Sequence, residues 1–227
     1  MTELPVHPLS EEELAALPIF PLPAGVLFPG AVLPLHVFEP RYRELVRDAL
    51  AGSKALAVAR LRPGYEAGYQ GRPPVFDICG AGRIVEHVEH PDGRFHMMLR
   101  GVSRVRIVEE LPPDRSYRVV RAEVLRDLAF DAALSSALAT KIAALWRVLA
   151  PELPEPMRDL AELTRGADEI SAYSDRIAAT VIGDPDLGQS LLAELDPCER
   201  LRLLAEQLQN AADAVAPRAS KGRSQLN

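Results

Sequence analysis

Cysteine and lysine are both scarce in this chain of 227 residues, and each scarcity excludes a class of site. The two cysteines, Cys79 and Cys198, form neither a CxxC pair nor a metal-ligand spacing, which excludes a cysteine-based metal site. The three lysines complete no GxxxxGK[ST] phosphate-binding loop, which excludes a P-loop ATPase. GxSxG and HExxH motifs are also missing. We therefore expect no cofactor, no metal and two buried thiols in a reducing compartment.

Charged residues are missing from the longest apolar run, residues 17–38, but this run does not predict a membrane span. Five of its 22 residues are prolines, and each proline removes a backbone donor and interrupts the hydrogen bonds of a helix. In lipid the freed carbonyl groups would have no partner. The chain also starts without the basic segment of a secretory signal peptide. The run predicts short buried strands joined by turns, and we expect a cytoplasmic protein without a membrane partner.

Proline and acidic residues are the types present in excess. The chain has twenty prolines, and eight of them lie within the first forty residues. With 48% hydrophobic residues, the chain has enough apolar side chains for one large domain or two small ones. Its formal net charge of −6 disfavours binding to a nucleic-acid backbone.

Short β-rich segments fill the first half of the chain. They are Leu33–Phe38, Ala55–Leu61, Phe76–Val88, Phe95–Leu99, Val102–Val108 and Tyr117–Leu125. The segment His90–Gly93 predicts a type I turn with Gly93 in the left-handed region, so that a hairpin joins the flanking strands. One helix interrupts the strands, beginning at Pro40 and ending at Gly52. Six or more short strands predict a compact, partly closed β-barrel.

Helical periodicity begins after about Asp127, where apolar residues recur every three or four positions. The segment Asp196–Glu199 is close to a capping box and predicts the start of a last helix. Strands followed by helices indicate an α+β fold. The predicted organisation is a lead-in over residues 1–14, a β-barrel subdomain over 15–127, a helical subdomain over 128–216 and a disordered tail over 217–227.

The densest polar cluster runs from Glu86 to His96 and holds three histidines and three carboxylates. These are the residue types of a divalent-metal site, but a solvated hairpin tip is the interpretation we favour. On a hairpin, His87 and Glu89 share one face while His90 lies on the other. His36, within the apolar run, is interpreted as a core or near-core histidine.

A loop rich in glycine and proline over residues 63–74 holds the candidate partner-binding residues Tyr65, Tyr69 and Arg72. Tyrosine and arginine are enriched at binding hot spots. The alternative is a plain surface loop.

Three segments at the start of the chain form its most specific pattern, namely Leu17–Pro23, Val26–Gly30 and Leu33–Tyr42. Further along, Ile78–Ile84, Asp92–Arg94 and Leu99–Val105 follow in the same order as in one known family. Together these segments closely resemble the Lon protease N-terminal (substrate-binding) domain. The resemblance is strong to about residue 125 and looser to residue 215.

The resemblance implies a PUA-like, partly closed β-barrel followed by a helical bundle. It also implies a non-catalytic module that binds polypeptide segments or a protein partner, with a link to protein quality control and without ATPase or peptidase modules. No catalytic residue is carried over. The residues that match the family signature are interpreted as structural: Pro21, Phe28, Pro29, Gly30, His36, Phe38, Glu39, Pro40, Arg41, Tyr42, Gly80, Gly101 and Arg104.

Two alternatives stay open at this point. An RNA-binding PUA-like protein would use a basic strip made of Arg100, Arg104, Arg106, Arg118 and Arg121, although the negative net charge and the lack of a stacking pair of aromatic residues disfavour a nucleic-acid partner. An uncharacterised metal-dependent hydrolase would use His87, His90 and His96. The sequence predicts neither the oligomeric state nor the position of the binding surface.

Overall fold

The computed structural model describes the backbone of residues 7–166, 169–181 and 183–223, and the side chains as far as residue 215. Residues 1–6 of the predicted lead-in and residues 224–227 of the predicted tail lie outside the described residues.

The chain divides into two compact units. The first comprises residues 1–126 and 182–193, and the second comprises residues 127–181 and 194–227. A helix at Pro185–Ala193 therefore belongs to the first unit, although the predicted helical subdomain over 128–216 includes it.

Six strands form the sheet of the first unit. They are β1 (Leu17–Leu22), β2 (Val32–Val37), β3 (Ala55–Arg60), β4 (Ile78–Glu89), β5 (Phe95–Glu110) and β6 (Arg118–Leu125). The strand order is β2-β5-β4-β3-β1-β6, and β5 pairs with β6 as well. This extra pairing brings the sheet back toward itself, so the sheet is partly ring-like rather than a closed barrel. The predicted α+β fold is confirmed in this form.

Strand β5 continues through the point where two separate strands were predicted. Its register with β4 shifts between Ala81 and Gly82, and Gly82 faces Gly101 across the pair. A shift of this kind lets a strand bend without ending. The long β5 can therefore pair with β2 along its first half and with β6 along its second half.

The described residues of the first unit include three α-helices, namely α1 (Glu11–Ala15), α2 (Pro40–Ala51) and the helix at Pro185–Ala193, which is α6 in chain order. Helix α2 begins at Pro40 as predicted and buries Leu45 and Val46 against the sheet. Helix α1 starts at a capping box in which the Glu13 N–H donates to Ser10 Oγ and the Ser10 N–H donates to Glu13 Oε2.

Strand β3 separates two apolar clusters, since all six of its residues are buried. Leu56 and Val58 point into the cluster beneath α2, whereas Ala55, Ala57 and Ala59 point into a second cluster together with Cys79. Both cysteines are free and buried, as predicted. Burial raises the pKa of the Cys79 thiol to about 12, so this thiol is unreactive at neutral pH.

Two signature glycines allow the segment before β2 to cross closely over the sheet. A Cβ atom at Gly80 would lie 1.7 Å from the Leu27 carbonyl oxygen, and one at Gly101 would lie 2.1 Å from the Phe28 carbonyl oxygen. Only glycine leaves room for this crossing. Gly30 then turns the chain with a φ of 75°.

The second unit is helical. It contains α3 (Ala132–Leu149), α4 (Leu160–Leu163), α5 (Ile170–Val181) and α7 (Pro197–Arg223), and both α3 and α5 pack against α7. The backbone of α7 thus extends into the predicted tail. Ile142 and Leu149 of α3 are buried, together with Leu201 and Leu204 of α7.

Half of the predicted capping box at the start of α7 is present. The Cys198 N–H donates to Asp196 Oδ1 at 2.8 Å, which makes Asp196 the N-cap residue as predicted. The return bond from Glu199 is missing, because Glu199 pairs with Arg202 and the Asp196 N–H donates to Glu194 Oε1 instead.

The apolar run 17–38 forms β1 and β2 rather than a membrane-spanning helix, as predicted. One stretch in the described part of the chain, Ala132–Glu152, is long and apolar enough to cross a membrane by length and composition. A single stretch of this kind is weak support for a membrane span, because the core helix of a soluble protein meets the same criterion.

Candidate functional site

Strand β2 is an edge strand that is covered on one face. Its odd-numbered residues pack toward the core, whereas Val32, Pro34 and His36 face outward. Val32 is 51% exposed, and Phe38, just after the strand, is 59% exposed. The prediction that the whole apolar run is buried is therefore wrong for β2, and His36 is an exposed residue rather than a core residue. The reason is the strand order, which places β2 at the edge of the sheet.

Two rows of side chains cross the outer face of the sheet from β2 over β5 to β4. The register aligns Pro34, Met98 and Glu86 in one row. It aligns His36, His96 and Val88 in the next row. Met98 is 39% exposed and Val88 is 59% exposed, so the rows present apolar surface to solvent.

These rows border an open cavity of about 690 Å³, which we call the β2 groove. It is lined by Pro34, Leu35, His36, Glu86, His87, Val88, His96, Met97 and Met98. Apart from Glu86, the lining consists of apolar and imidazole side chains. A concave, largely apolar surface with few polar groups is the usual form of a binding site.

His96, which lines the β2 groove, contacts two other histidines. The ring centroid of His96 lies 4.6 Å from that of His36 and 4.6 Å from that of His90. His90 Nε2 and His96 Nδ1 are 3.1 Å apart. Partial desolvation lowers the pKa of His96, and the neighbouring His36, His90 and Arg94 lower it further. The His96 ring is therefore neutral at neutral pH. The sequence did not predict this contact, because His36 comes from a distant strand.

The cluster from Glu86 to His96 does not assemble a metal site. Within residues 7–166, 169–181 and 183–223, no group of three or more His, Cys, Asp or Glu side chains is placed to hold a metal ion. Two of the three carboxylates in the cluster are engaged by arginines. Glu89 accepts from Arg47 at 3.0 Å and Asp92 accepts from Arg94 at 2.7 Å. The cluster thus gives no support to the metal-dependent hydrolase.

The loop residues Tyr69 and Arg72 are held by the first unit itself. The Tyr69 hydroxyl donates to Glu39 Oε1 at 2.6 Å, and Arg41 Nη2 donates to the Tyr69 carbonyl oxygen at 3.2 Å. Arg72 Nη1 donates to Glu110 at 2.7 Å. The Tyr65 ring lies 6.0 Å from that of Tyr69. Much of the hydrogen-bonding capacity of these candidate partner-binding residues is therefore used within the chain.

Several signature residues take part in the packing of the first unit. Phe28 is 2% exposed. Arg104 is 4% exposed, and its Nε donates to the Leu192 carbonyl oxygen at 2.9 Å. Glu39 precedes α2 but makes no side-chain cap, and it accepts from Arg41 Nε at 3.1 Å instead. His36 and Phe38 differ from these residues because they face solvent.

The predicted basic strip is largely neutralised. Arg106 pairs with Glu123, Arg118 with Glu110 and Arg121 with Glu109, all at N–O distances of 3.1 Å or less. These carboxylates would repel the phosphates of an RNA backbone that approached the arginines.

Comparisons with protein families and with known proteins all identify Lon proteases as similar to this chain. The family model of the ATP-dependent protease La (LON) substrate-binding domain matches residues 16–210. The Lon protease of Roseiflexus castenholzii is 32% identical over 204 residues, and that of Desulfosudis oleivorans is 24% identical over 199 residues. Each alignment covers 88% of this chain and 24% of the relative. The chain thus spans about a quarter of the length of these proteases.

Solved structures show the same fold. The N-terminal domain of the Mycobacterium avium complex Lon protease superposes with a TM-score of 0.67 at 19% identity, covering 86% of this chain and 98% of that domain. A Lon N-terminal domain protein from Xanthomonas campestris superposes with a TM-score of 0.54 at 26% identity, covering 83% of this chain and 96% of that protein.

Proposed function

This chain belongs to the family of Lon substrate-binding domains, and from this premise we propose that it is a non-catalytic module that binds exposed apolar segments of polypeptides in the β2 groove. The observation that carries the proposal is the exposed apolar surface at the groove and beside it. Such segments are exposed in unfolded proteins, which links the proposal to protein quality control and proteolysis in the cytoplasm.

The energetics of burial support this assignment. Val88 and Met98 lie in the groove with 59% and 39% of their surface exposed, and Val32 and Phe38 extend the apolar surface along β2. Fully burying a side chain of this size contributes roughly 1.5–3 kcal/mol. Covering these partly exposed side chains with an apolar peptide therefore stabilises a complex by several kcal/mol before the entropy of ordering the peptide is subtracted.

The backbone of β2 favours binding on the face of the sheet rather than at its edge. Pro34 lies in the middle of this edge strand and has no N–H to donate to an added strand. Proline at this position is one of the ways in which edge strands avoid pairing with other chains. A bound segment would therefore be held mainly by its apolar side chains, which tolerates many sequences.

The lining of the groove supports a binding role rather than a catalytic one. It includes no serine, cysteine, threonine or lysine that could serve as a nucleophile. Two of its histidines, His36 and His96, contact each other, and Glu86 is the one carboxylate among the lining residues.

Fluorescence anisotropy with labelled apolar peptides and with an unfolded client protein tests the proposal. We expect Val88→Asp, which places a charge in the groove, to weaken binding at least tenfold. Val108→Asp is the matched control, since Val108 is an exposed valine of β5 (43%) that does not line the groove, and it should change the affinity less than twofold. Equal affinities for both variants, or no binding of any apolar peptide, would refute the proposal.

A further inference from the structure

A second cavity of the first unit, with a volume of about 240 Å³, is lined by four arginines and by no acidic residue. We call it the arginine pocket, and its arginines are Arg41, Arg72, Arg115 and Arg118. The peptide-binding proposal does not involve this pocket.

The carboxylates around the arginine pocket are each shared between two donors. Glu110 accepts from both Arg72 and Arg118 at 2.7 Å. Asp48 pairs with Arg115 and accepts from the Tyr117 hydroxyl. Glu39 pairs with Arg41 and accepts from the Tyr69 hydroxyl.

Four guanidinium groups therefore face three carboxylates, and the surplus N–H groups are available to the pocket. A further carboxylate, Glu44, accepts from the Ser116 hydroxyl rather than from a guanidinium group. Arg115 uses Nη1 for its hydrogen bond to Asp48, and its Nε and Nη2 make no hydrogen bond to the described residues. The lining itself is thus rich in donors, while Glu44 brings the neighbouring carboxylates to four and balances the four guanidinium charges.

Tyr42 contributes the hydroxyl of an otherwise buried side chain to this lining. The residue is 5% exposed, with its ring 4.5 Å from that of Phe20 and 4.7 Å from the guanidinium carbon of Arg41. Among the described residues its hydroxyl has no hydrogen-bond partner. The hydroxyl oxygen is open to the pocket and can donate to an anion there. Burial raises the pKa of Tyr42 to about 12, which keeps the hydroxyl protonated as a donor.

The first turn of α2, from which Arg41 and Tyr42 line the pocket, adds the positive end of a helix dipole. The helix begins at Pro40 without a side-chain cap and has no acidic residue in its first turn. Arg41 and Arg43 lie there instead, where cations are unfavourable because the helix dipole is positive at that end. An anion near this turn would relieve that repulsion.

We propose that the arginine pocket binds a small phosphate-class oxyanion, either as free phosphate or as a phosphomonoester group. The Tyr42 hydroxyl donates one hydrogen bond to the anion, and the free N–H groups of Arg72 and Arg115 supply the charge-assisted ones. The volume of about 240 Å³ is sufficient for the anion and part of an attached organic group.

Calorimetric titration with inorganic phosphate at constant ionic strength tests this assignment. We expect one site per chain, with phosphate binding weakened about tenfold or more in Tyr42→Phe and in Arg115→Ala. Arg121→Ala is the matched control. Arg121 is an arginine of similar exposure that is also paired with a carboxylate, and it does not line the pocket.

Thermal unfolding separates this role from a structural one. Tyr42→Phe removes a hydroxyl without a protein partner, so the melting temperature without phosphate should be unchanged or higher. The rise in melting temperature on adding phosphate should shrink in this variant. A lower melting temperature without phosphate would overturn the assignment of an unpartnered hydroxyl.

Three ligands distinguish the possible sources of the anion. Binding of phosphate alone supports a free-ion site, and binding of both phosphate and phosphoserine supports a phosphomonoester site. No phosphate binding at about 10 mM, where a site with a millimolar Kd would be largely occupied, would overturn the proposal. Acetate binding as tight as phosphate binding would also overturn it, as would phosphate binding that Tyr42→Phe and Arg115→Ala leave unchanged.

Discussion

Replacement of Asp127 by alanine should destabilise the second unit much more than the loss of a surface ion pair does. Asp127 accepts two hydrogen bonds from the guanidinium of Arg200, at 2.8 and 2.6 Å. Arg200 is fully buried, and it also donates to Ser174 Oγ at 3.1 Å and to the Glu194 carbonyl oxygen at 2.9 Å. Asp175 lies 3.6 Å from its Nε. This network ties α7 to α5 and to the start of the second unit.

The magnitude follows from the burial of Arg200. Removing Asp127 leaves a buried guanidinium with two of its hydrogen bonds missing, and breaking a buried pair in this way costs about 3–5 kcal/mol. For a unit of about 100 residues, each kcal/mol lowers the melting temperature by roughly 4–8 °C. We therefore expect Asp127→Ala to lower the melting temperature by at least about 12 °C.

Trp146 offers a direct assay for this loss. It is the chain's one tryptophan, lies in α3 of the second unit and is 2% exposed. Its fluorescence during urea unfolding therefore reports on the second unit, and the shift in midpoint gives the change in unfolding free energy.

Arg202, two residues after Arg200 in α7, provides the matched control. Arg202 pairs with Glu199 and Glu206 on the exposed surface of α7, where solvent screens the charges, so Arg202→Ala should shift the urea midpoint very little. If Asp127→Ala and Arg202→Ala shift the urea midpoint equally, the reasoning from burial is wrong.

Three further predictions concern the first unit. Arg83 lowers the pKa of Glu13 to about 2, so the Glu13–Arg83 pair stabilises the fold fully above the ordinary pKa of 4.5, and this stabilisation is lost as the pH falls toward 2. The stability of Glu13→Gln should therefore decrease less between pH 4.5 and pH 2 than that of the unchanged protein, as measured by acid unfolding. Gly80→Ala should lower the unfolding free energy in urea by roughly 1–3 kcal/mol or more, because its Cβ would clash with the Leu27 carbonyl group. The control Gly52→Ala should cost much less, because the nearest atom to its Cβ is 3.5 Å away. Equal losses would contradict the close crossing of the segment before β2. Apolar peptides should bind the β2 groove more weakly as the pH falls below the ordinary imidazole pKa of 6.5, because desolvation lowers the pKa of the lining residue His96 and its protonation at still lower pH places a charge in the groove. An anisotropy titration that is flat from about pH 7.5 to about pH 5 would contradict this.

Local patterns in the sequence predicted much of the first unit. The prolines of the opening segments excluded a membrane helix, and Pro40, Gly52 and Gly93 marked a helix start, a helix end and a turn. These features depend on backbone restrictions of single residues, which a sequence displays directly. The capping box between Ser10 and Glu13 has the same local character, because its Ser-x-x-Glu spacing is visible in the sequence.

Features that depend on distant pairing were not predicted. His36 lies in an apolar run, and its exposure follows from the edge position of β2, which is a property of the strand order. The burial of Arg200 depends on Asp127, 73 positions away in the chain. The unpartnered hydroxyl of Tyr42 likewise becomes visible only when the surrounding residues are in place. Periodicity alone carries no information on such contacts.

Photo-cross-linking of an apolar peptide, followed by mass spectrometry, tests the central claim most directly. The second unit provides a built-in competitor, since Leu134 and Val148 of α3 are 50% and 55% exposed. If the β2 groove is the binding surface, cross-links should concentrate on β2, β5 and β4 around Met98 and Val88, and Val88→Asp should abolish them. Cross-links confined to α3, or unaffected by Val88→Asp, would contradict the assignment of peptide binding to the β2 groove.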